Sequence, residues 1–307
     1  MRLNKFDLNN LVCLDALLAE RSITRAAERL FLSRPAMSNA LARLREYFND
    51  ELLVQVGKAM VPTPFALSLQ QPTRDLLLRM QAITSTLPSH IELATVSRKI
   101  SITCSDYVAA VFVPTVLLQI CAQAPNITFD IRPFSSRFLD EIDSGEVDFL
   151  ITSDTVTGDT HPAELLFKDS FSCVVWAGNG TVGDTLSLDE FMSFGHVGTR
   201  WDIGRVNALD EEYLSSRHMQ RRVEVWVSAF SQVPQFVVGT QRVGTMQTRL
   251  AHAFAAYLPL RVVSSPVPIP YLNEMLQWHH YQESDPVLAW VRGQFRLAGA
   301  MLSEPRA

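Results

Sequence analysis

SITRAAERLFLSRPAMSNALARLR, running from Ser22 to Arg45, decides how this chain is read. It reads as two helices joined by a tight turn. Ala26, Ala27 and Leu30 share one face of the first helix, and small alanines there admit a close neighbour. Phe31-Leu32-Ser33 makes the turn. Ser33 suits an N-cap, because its side-chain oxygen can accept an orphaned backbone N–H. Pro35 then falls in the first helical turn, where a missing N–H costs nothing. Met37, Leu41 and Leu44 recur at 0, +4 and +7 as an inward stripe, and Arg34, Ser38, Asn39, Arg43 and Arg45 occupy the opposite face. Arginines 25, 29, 34, 43 and 45 stand against one acid, Glu28. A helix held on one side, with Ser, Asn and Arg on the other, meets the needs of a major-groove reader. A solvated hairpin in an all-α protein would show the same pattern.

Outward from this stretch, Asp7 is placed to cap a helix from Leu8 to Arg21, with Leu8, Leu11, Val12, Leu14, Leu17 and Leu18 as a lid. On the other side, Leu52 to Val56, then Gly57-Lys58-Ala59, then Met60 to Thr63 predict a strand, a glycine turn and a returning strand. Lys58 at the tip of this wing is placed for a phosphate, or the wing is plain structure. From Pro64 to Leu87 the pattern is helical. Leu69, Leu76 and Ile83 recur every seven residues, and Met80 and Leu87 come four after Leu76 and Ile83. Such a seam fits pairing between subunits or packing on its own domain. Pro72 should kink this helix or mark its start.

From Lys99 the pattern turns to α/β. Strands at 100–104, 127–132 and 147–151 alternate with helices at 105–124 and through Leu139 and Ile142, which means a parallel sheet with crossovers. Further strands are expected at 165–167, 171–176, 196–197, 223–227, 243–246 and 271–279. Helices are expected near 187–194, 205–215, 229–238 and 247–257. Asp285 caps a last helix with Val287, Trp290, Val291, Phe295 and Leu297 inward. The expected fold is an N-terminal all-α winged helix-turn-helix (1–64) with a linker and dimerisation helix (65–88). A hinge (89–98) leads to a two-lobed α/β domain (99–307). Lobe 1 covers about 99–170 and 265–303, and lobe 2 about 171–264.

The charge is uneven. The whole chain of 307 residues carries −5. Residues 1–90 hold 11 Lys and Arg against 8 Asp and Glu, giving +3, and the remainder holds 16 against 24, giving −8. A mildly basic head on an acidic body fits a nucleic-acid contact confined to the head. Cys13, Cys104, Cys121 and Cys173 form no CxxC and sit among apolar neighbours, which predicts buried free thiols in a reducing, cytoplasmic setting. No stretch has the length and apolarity of a membrane span, and G-x-S-x-G, G-x-G-x-x-G, the P-loop and H-E-x-x-H are absent, so an enzyme is not expected. His279-His280 is not read as a metal pair, because adjacent residues on a strand point to opposite faces. No cofactor or metal is expected.

The head resembles a LysR-type transcriptional regulator. The matching residues are Asp7-Leu8-Asn9, Leu17-Leu18, Glu20 to Leu30, Leu32-Ser33, Pro35 to Ser38, Leu41, Leu44-Arg45 and Pro62-Thr63-Pro64. The body resembles that family's effector domain, related in fold to periplasmic binding proteins. Ile102 to Tyr107, Gly145 to Asp148, His196-Val197-Gly198 and Trp278-His279-His280 are similar to the branch that senses flavonoids, salicylate and other aromatics. The resemblance implies a dimer, associating further to a tetramer, on double-stranded promoter DNA, with a small aromatic co-inducer and RNA polymerase as partners. The expected DNA contacts are Thr24, Arg25, Ser33, Arg34, Pro35, Ser38, Asn39, Arg43, Lys58 and Thr63. Where the family has Gln this chain has Arg34, and Arg prefers the O6/N7 edge of guanine. The expected effector contacts are Ser105, Asp106, Tyr107, Ser153, Asp169, Thr199, Arg200 and Phe230, chiefly at helix starts facing a cleft between lobes. Asp106 repels anions and favours a neutral phenol. Asp169 and Ala229 stand where aromatic-sensing relatives place histidines, which argues against salicylate. The competing readings are a periplasmic-type solute-binding protein and a regulator without effector control.

Overall fold

The computed structural model describes residues 6–57, 59–84, 92–201 and 208–303, the side chains of 81–84 and 303 excepted. The chain divides into two units, one ending at Thr86 and the other starting at Leu87.

In the first unit, α1 (Asn9–Glu20) touches α2 (Ile23–Arg29), α3 (Arg34–Phe48) and α4 (Pro64–Thr84). The local signals act as read. Ser22 accepts the amide of Arg25 and Ser33 that of Ala36, each across 3.3 Å. Asp7 accepts the amide of Asn9 at 2.9 Å, so α1 begins one residue later than Leu8. Leu14, Leu17, Ala26, Met37 and Leu44 are sealed from solvent. Leu8 and Val12 are not part of that core, and Cys13 and Ala16 are buried instead.

Arg45 also departs from the expected outer face. Its guanidinium reaches back to the carbonyls of Glu51 at 2.7 Å and Leu53 at 2.6 Å. It thereby fastens the wing, in which β1 (Leu53–Val56) pairs antiparallel with β2 (Ala59–Pro62) and Val54 faces Val61. Gly57 turns the hairpin at φ +62°, where a side chain would be strained. Lys58 lies outside the described residues. Helix α4 runs unbroken past Pro72. Arg74, buried, holds Asp15 of α1 at 2.8 Å, and Asp15 also lies 3.8 Å from Arg29 of α2. Of the seven-residue seam, Leu69 packs on the head's own core, Met80 is half-buried and Leu76 remains 42% exposed. The side chain of Ile83, and Leu87, lie outside the described residues.

The second unit contains two five-stranded sheets. The first part of the chain supplies β3 (Arg98–Cys104), α5 (Asp106–Val111), α6 (Val113–Gln123), β4 (Ile127–Arg132), α7 (Phe138–Asp143), β5 (Phe149–Ser153) and β6 (Ala163–Asp169). After Ser170 it enters the second sheet with β7 (Phe171–Trp176), α8 (Leu188–Ser193), β8 (Gly195–Thr199), α9 (Leu209–Ser216) and β9 (Arg222–Val227). That sheet is completed by α10 (Val233–Val237), β10 (Val243–Gln247), α11 (Thr248–Ala255) and β11 (Leu260–Ser264). Then β12 (Leu272–Gln277) returns to the first sheet, and α12 (Pro286–Ser303) comes after it. The orders are β4-β3-β5-β12-β6 and β11-β7-β10-β8-β9. β3 runs parallel to β4 and β5, and β8 to β9 and β10, while β12 and β7 run antiparallel to their neighbours.

Several elements differ from the pattern reading. The helix expected over 105–124 breaks at Phe112, because Pro114 has no N–H to continue the ladder and instead sits in the first turn of α6. Strand β11 has no counterpart in that reading: Leu260 to Ser264 lies at a sheet edge and shows no alternation. Residues 205–207 of the helix expected near 205–215 lie outside the described residues, and α9 covers the remainder from Leu209. The helix expected at 229–238 opens as a 3-10 turn, Phe230–Gln232. Cys121 is exposed, unlike the other three cysteines. Leu297 is exposed on α12, where Leu288 and Ala298 are buried beside Val287, Val291 and Phe295. Strand β12 stops at Gln277, so His279 and His280 are not on a strand.

Candidate DNA interface and ligand cleft

The first half of α3 presents Arg34, Pro35, Ser38 and Asn39 to solvent. Among the described residues no hydrogen bond or ion pair occupies the side chains of Arg34, Ser38 or Asn39. Thr24 is exposed at the start of α2. Arg25 is partly engaged, bonded to the carbonyl of Glu20 and 3.5 Å from its carboxylate. Arg43 reaches Asn10 at 3.5 Å. Two predicted contacts have internal work: Ser33 caps α3, and Thr63 caps α4 by accepting the amide of Ala66 while donating to Asp50 at 2.7 Å. Phe31, read only as turn filler, is 97% exposed at φ +54°. Its position in the turn before α3 is the one sequence signal for it.

In the second unit a cleft opens where strands of both sheets end. Ser105 comes after β3, Phe134 after β4, and Thr152 and Ser153 end β5. From the other sheet come Phe171, Trp201 after β8, Phe230 after β9 and Gln247 ending β10. Leu272 and Glu274 of β12 complete it, and the non-atom space, mouth included, is about 470 Å³. This is the crevice at the carboxyl ends of parallel strands where open α/β sheets take ligands. The rings of Trp201 and Phe230 meet edge to face at 5.1 Å. No Lys, Arg or His is among the described lining residues.

Two polar groups here were missed by sequence reasoning. Glu274 is buried, its Oε2 has no partner among the described residues, and its carboxyl is pushed up to about 8. Burial is the main cause, and the charges of Asp169 and Asp154 add to it. Gln247 is also buried, with Oε1 unpartnered among the described residues. For Glu274 the only signal is a polar residue interrupting an apolar strand, while Gln247 also opens the helix expected at 247–257.

The predicted effector residues divide. Ser105, Ser153 and Phe230 line the cleft. Asp106 does not: its carboxylate accepts the amides of Phe230 at 3.2 Å and Ser231 at 2.7 Å, so it clasps one lobe to the other. Tyr107 and Asp169 form a buried knot beside the crossover, the phenol donating to the carboxylate at 2.6 Å. Burial raises the Asp169 carboxyl, and burial with the neighbouring carboxylate holds Tyr107 protonated far above its ordinary range. Asp169 also accepts the amides of Ser170 and Arg249. Thr199 and Arg200 line a separate groove with Glu212 and Trp226, and Arg200 stacks 4.0 Å over the Trp226 ring. His196 is a core residue. Its Nε2 donates to the Phe191 carbonyl at 2.7 Å, and burial lowers it to about 4, so it stays neutral.

The reading of His279-His280 is overturned in its geometry. Their rings stack at 4.5 Å and 21° instead of pointing apart, and His161 joins them.

Residues 8–67 match the family described as bacterial regulatory helix-turn-helix protein, lysR family, and residues 94–299 match the LysR substrate binding domain. Nodulation protein D 2 of Rhizobium tropici is 40% identical over 308 residues, covering 100% of this chain and 97% of that protein. Nodulation protein D 1 of Bradyrhizobium diazoefficiens is 38% identical over 292 residues, covering 95% and 93%. Among solved structures, full-length OxyR from Pseudomonas aeruginosa superposes with a TM-score of 0.72 at 16% identity, over 95% of both chains. Full-length CbnR complexed with its target DNA gives 0.54 at 12% identity, over 96% of this chain and 100% of that one. These two structural likenesses bear on the fold.

Proposed function

The chain belongs to the LysR family of bacterial helix-turn-helix transcriptional regulators, and from that premise we propose that an uncharged aromatic molecule, a phenol or flavonoid, held in the cleft of the second unit controls its grip on promoter DNA. The observation that carries the ligand class is the lining. Among its described residues it offers aromatic faces and buried neutral polar groups but no cation. A carboxylate or phosphate would enter without a counter-charge and lose its hydration uncompensated. A neutral ring stacks on Trp201 and Phe230, accepts from the protonated Glu274 and donates to Gln247 Oε1.

On the DNA side, α3 enters the major groove with Arg34 towards guanine, and Ser38 and Asn39 beside it. A dimer joined through the exposed apolar stripe of α4 presents two such helices to a two-fold site, and a dimer of dimers with RNA polymerase is the expected working assembly. The ligand acts by binding two arrangements of the assembly unequally, since equal affinity shifts nothing. Titration calorimetry of the full chain with phenols and flavonoids tests the cleft. One site per chain is expected, weakened about tenfold in Phe230→Leu, which keeps the volume but loses the ring face. Benzoate binding as tightly as the matching phenol would overturn the uncharged-ligand reading.

A further inference from the structure

Three imidazoles meet at the end of the first sheet opposite the ligand cleft. There β6 begins and β12 ends, with Ala163 paired to Gln277. His161 stands two residues before Ala163, and His279 and His280 stand two and three after Gln277, so all three arrive from adjacent strand ends. His161 and His279 are buried and His280 is exposed. One ring nitrogen of each lies within 4.8 Å of the other two. Nδ1 of His161 faces Nδ1 of His280 at 3.3 Å. Asp143, the last residue of α7, stands 2.9 Å from Nε2 of His161. A carboxylate there takes the N–H, which leaves the lone pair of a neutral His161 on Nδ1, aimed at His280.

We propose that His161, His279 and His280 form a binding site for a divalent transition-metal ion of the zinc class, with Asp143 orienting His161 from behind. The spacing of the His161–His280 pair, 3.3 Å, fits: with metal–nitrogen bonds of about 2.0–2.1 Å, two ligands of a tetrahedral ion stand about 3.3 Å apart, and His279 lies within 4.8 Å of both. The donor set fits, because imidazoles select zinc, copper or nickel over magnesium and calcium, which want oxygen. The support fits as well, since a carboxylate on the far nitrogen of a ligating histidine fixes its tautomer and raises its basicity. The exposed His280 is the way in, and water takes the fourth position. His279 Nδ1 accepts the amide of Tyr281 at 3.2 Å, a long cap that binding exchanges if that nitrogen must turn.

The position has a mechanical consequence. His280 opens the 3-10 turn His280–Gln282, and Gln282 donates to Asp148 at 3.4 Å. Asp148 in turn lies 3.6 Å from Arg98, the first residue of β3. An ion here braces the entry strand of the second unit, away from the cleft.

The test uses tag-free full-length protein, stripped with chelator and titrated with cobalt(II). One equivalent per chain is expected, with the visible absorption of a tetrahedral cobalt centre, displaced by zinc. His161→Gln and His280→Gln each abolish that spectrum, and Asp143→Asn weakens binding about 10–100-fold. Because His161 is buried and its variant can fail by unfolding, the exposed His280 decides: zinc raises the Tm of the parent chain but not of His280→Gln. His252→Gln, at the exposed face of α11, leaves binding unchanged. Absence of stoichiometric binding, or binding that survives His280→Gln, overturns the site.

Discussion

Along α3, Arg34, Ser38 and Asn39 stand in solvent, and no described contact occupies their side chains. In the cleft, Ser105, Thr152, Gln247 and Glu274 are buried. Two acids expected to meet the ligand, Asp106 and Asp169, are committed to amides and a phenol within the protein. Under the proposed function, the difference reflects what each surface has to meet. A polyanion is met by exposed, hydrated charges that release counterions when they engage. A small ligand entering a water-poor cleft meets groups that have already given up hydration, and such groups persist only if bonded or neutral. Glu274 satisfies that condition by holding its proton.

The contrast is broken most strongly from the DNA side. Arg34→Ala with Ser38→Ala should cost about 2–5 kcal/mol of specific DNA binding, read by gel shift against a promoter fragment, while the heat of ligand binding stays as in the parent. Undiminished DNA binding would remove α3 from the interface. The next effect is in the cleft. The carboxyl of Glu274 is raised from 4.5 to about 8, so between those values the unfolded chain loses its proton while the folded chain keeps it. Stability therefore falls as pH rises through that window, by up to about 1.4 kcal/mol per pH unit. Urea unfolding from pH 5 to 8 should show this slope in the parent and a flatter one in Glu274→Gln. A slope of opposite sign would mean that the buried carboxylate is charged. The smallest effect sharpens the boundary between capping and contact. Thr63→Ala should lower stability by about 0.5–2 kcal/mol through loss of the α4 cap, with no change in relative affinity among operator sequences. A changed base preference would place Thr63 on the DNA.

The head is legible because its signals are short-range. Ser22 and Ser33 each cap a helix by bonding an amide three residues on, and Met37, Leu41 and Leu44 lie within two turns of one helix. Even there, the helical pattern misplaces Arg45, since its partners Glu51 and Leu53 belong to a wing whose position no such pattern reveals. The order of the second unit is also readable from alternating strands and helices. Its cleft is legible in outline only. Ser105 and Phe230 stand out because they begin helical segments, and Gln247 opens the helix expected at 247–257, whereas Glu274 sits inside a strand and gives no such sign. Thr199 and Arg200 look equivalent to them in sequence and line another groove. The histidine cluster is hidden because alternation carries the expected strand to His279, whereas β12 stops at Gln277, and because His161 comes from more than a hundred residues away.

By itself, then, the sequence determined the family, the caps, the inward stripe of α3, the glycine hairpin and the alternation of strands and helices that builds two α/β lobes. Each of these rests on neighbours a few residues apart, whose energies are set by local backbone geometry. Only the tertiary structure decided which polar side chains were already spent, that Glu274 is buried with its proton, and that His161 lies beside His279 and His280. Those facts depend on strand ends brought together across more than a hundred residues, and burial and electrostatic neighbours exist only once the sheets are assembled.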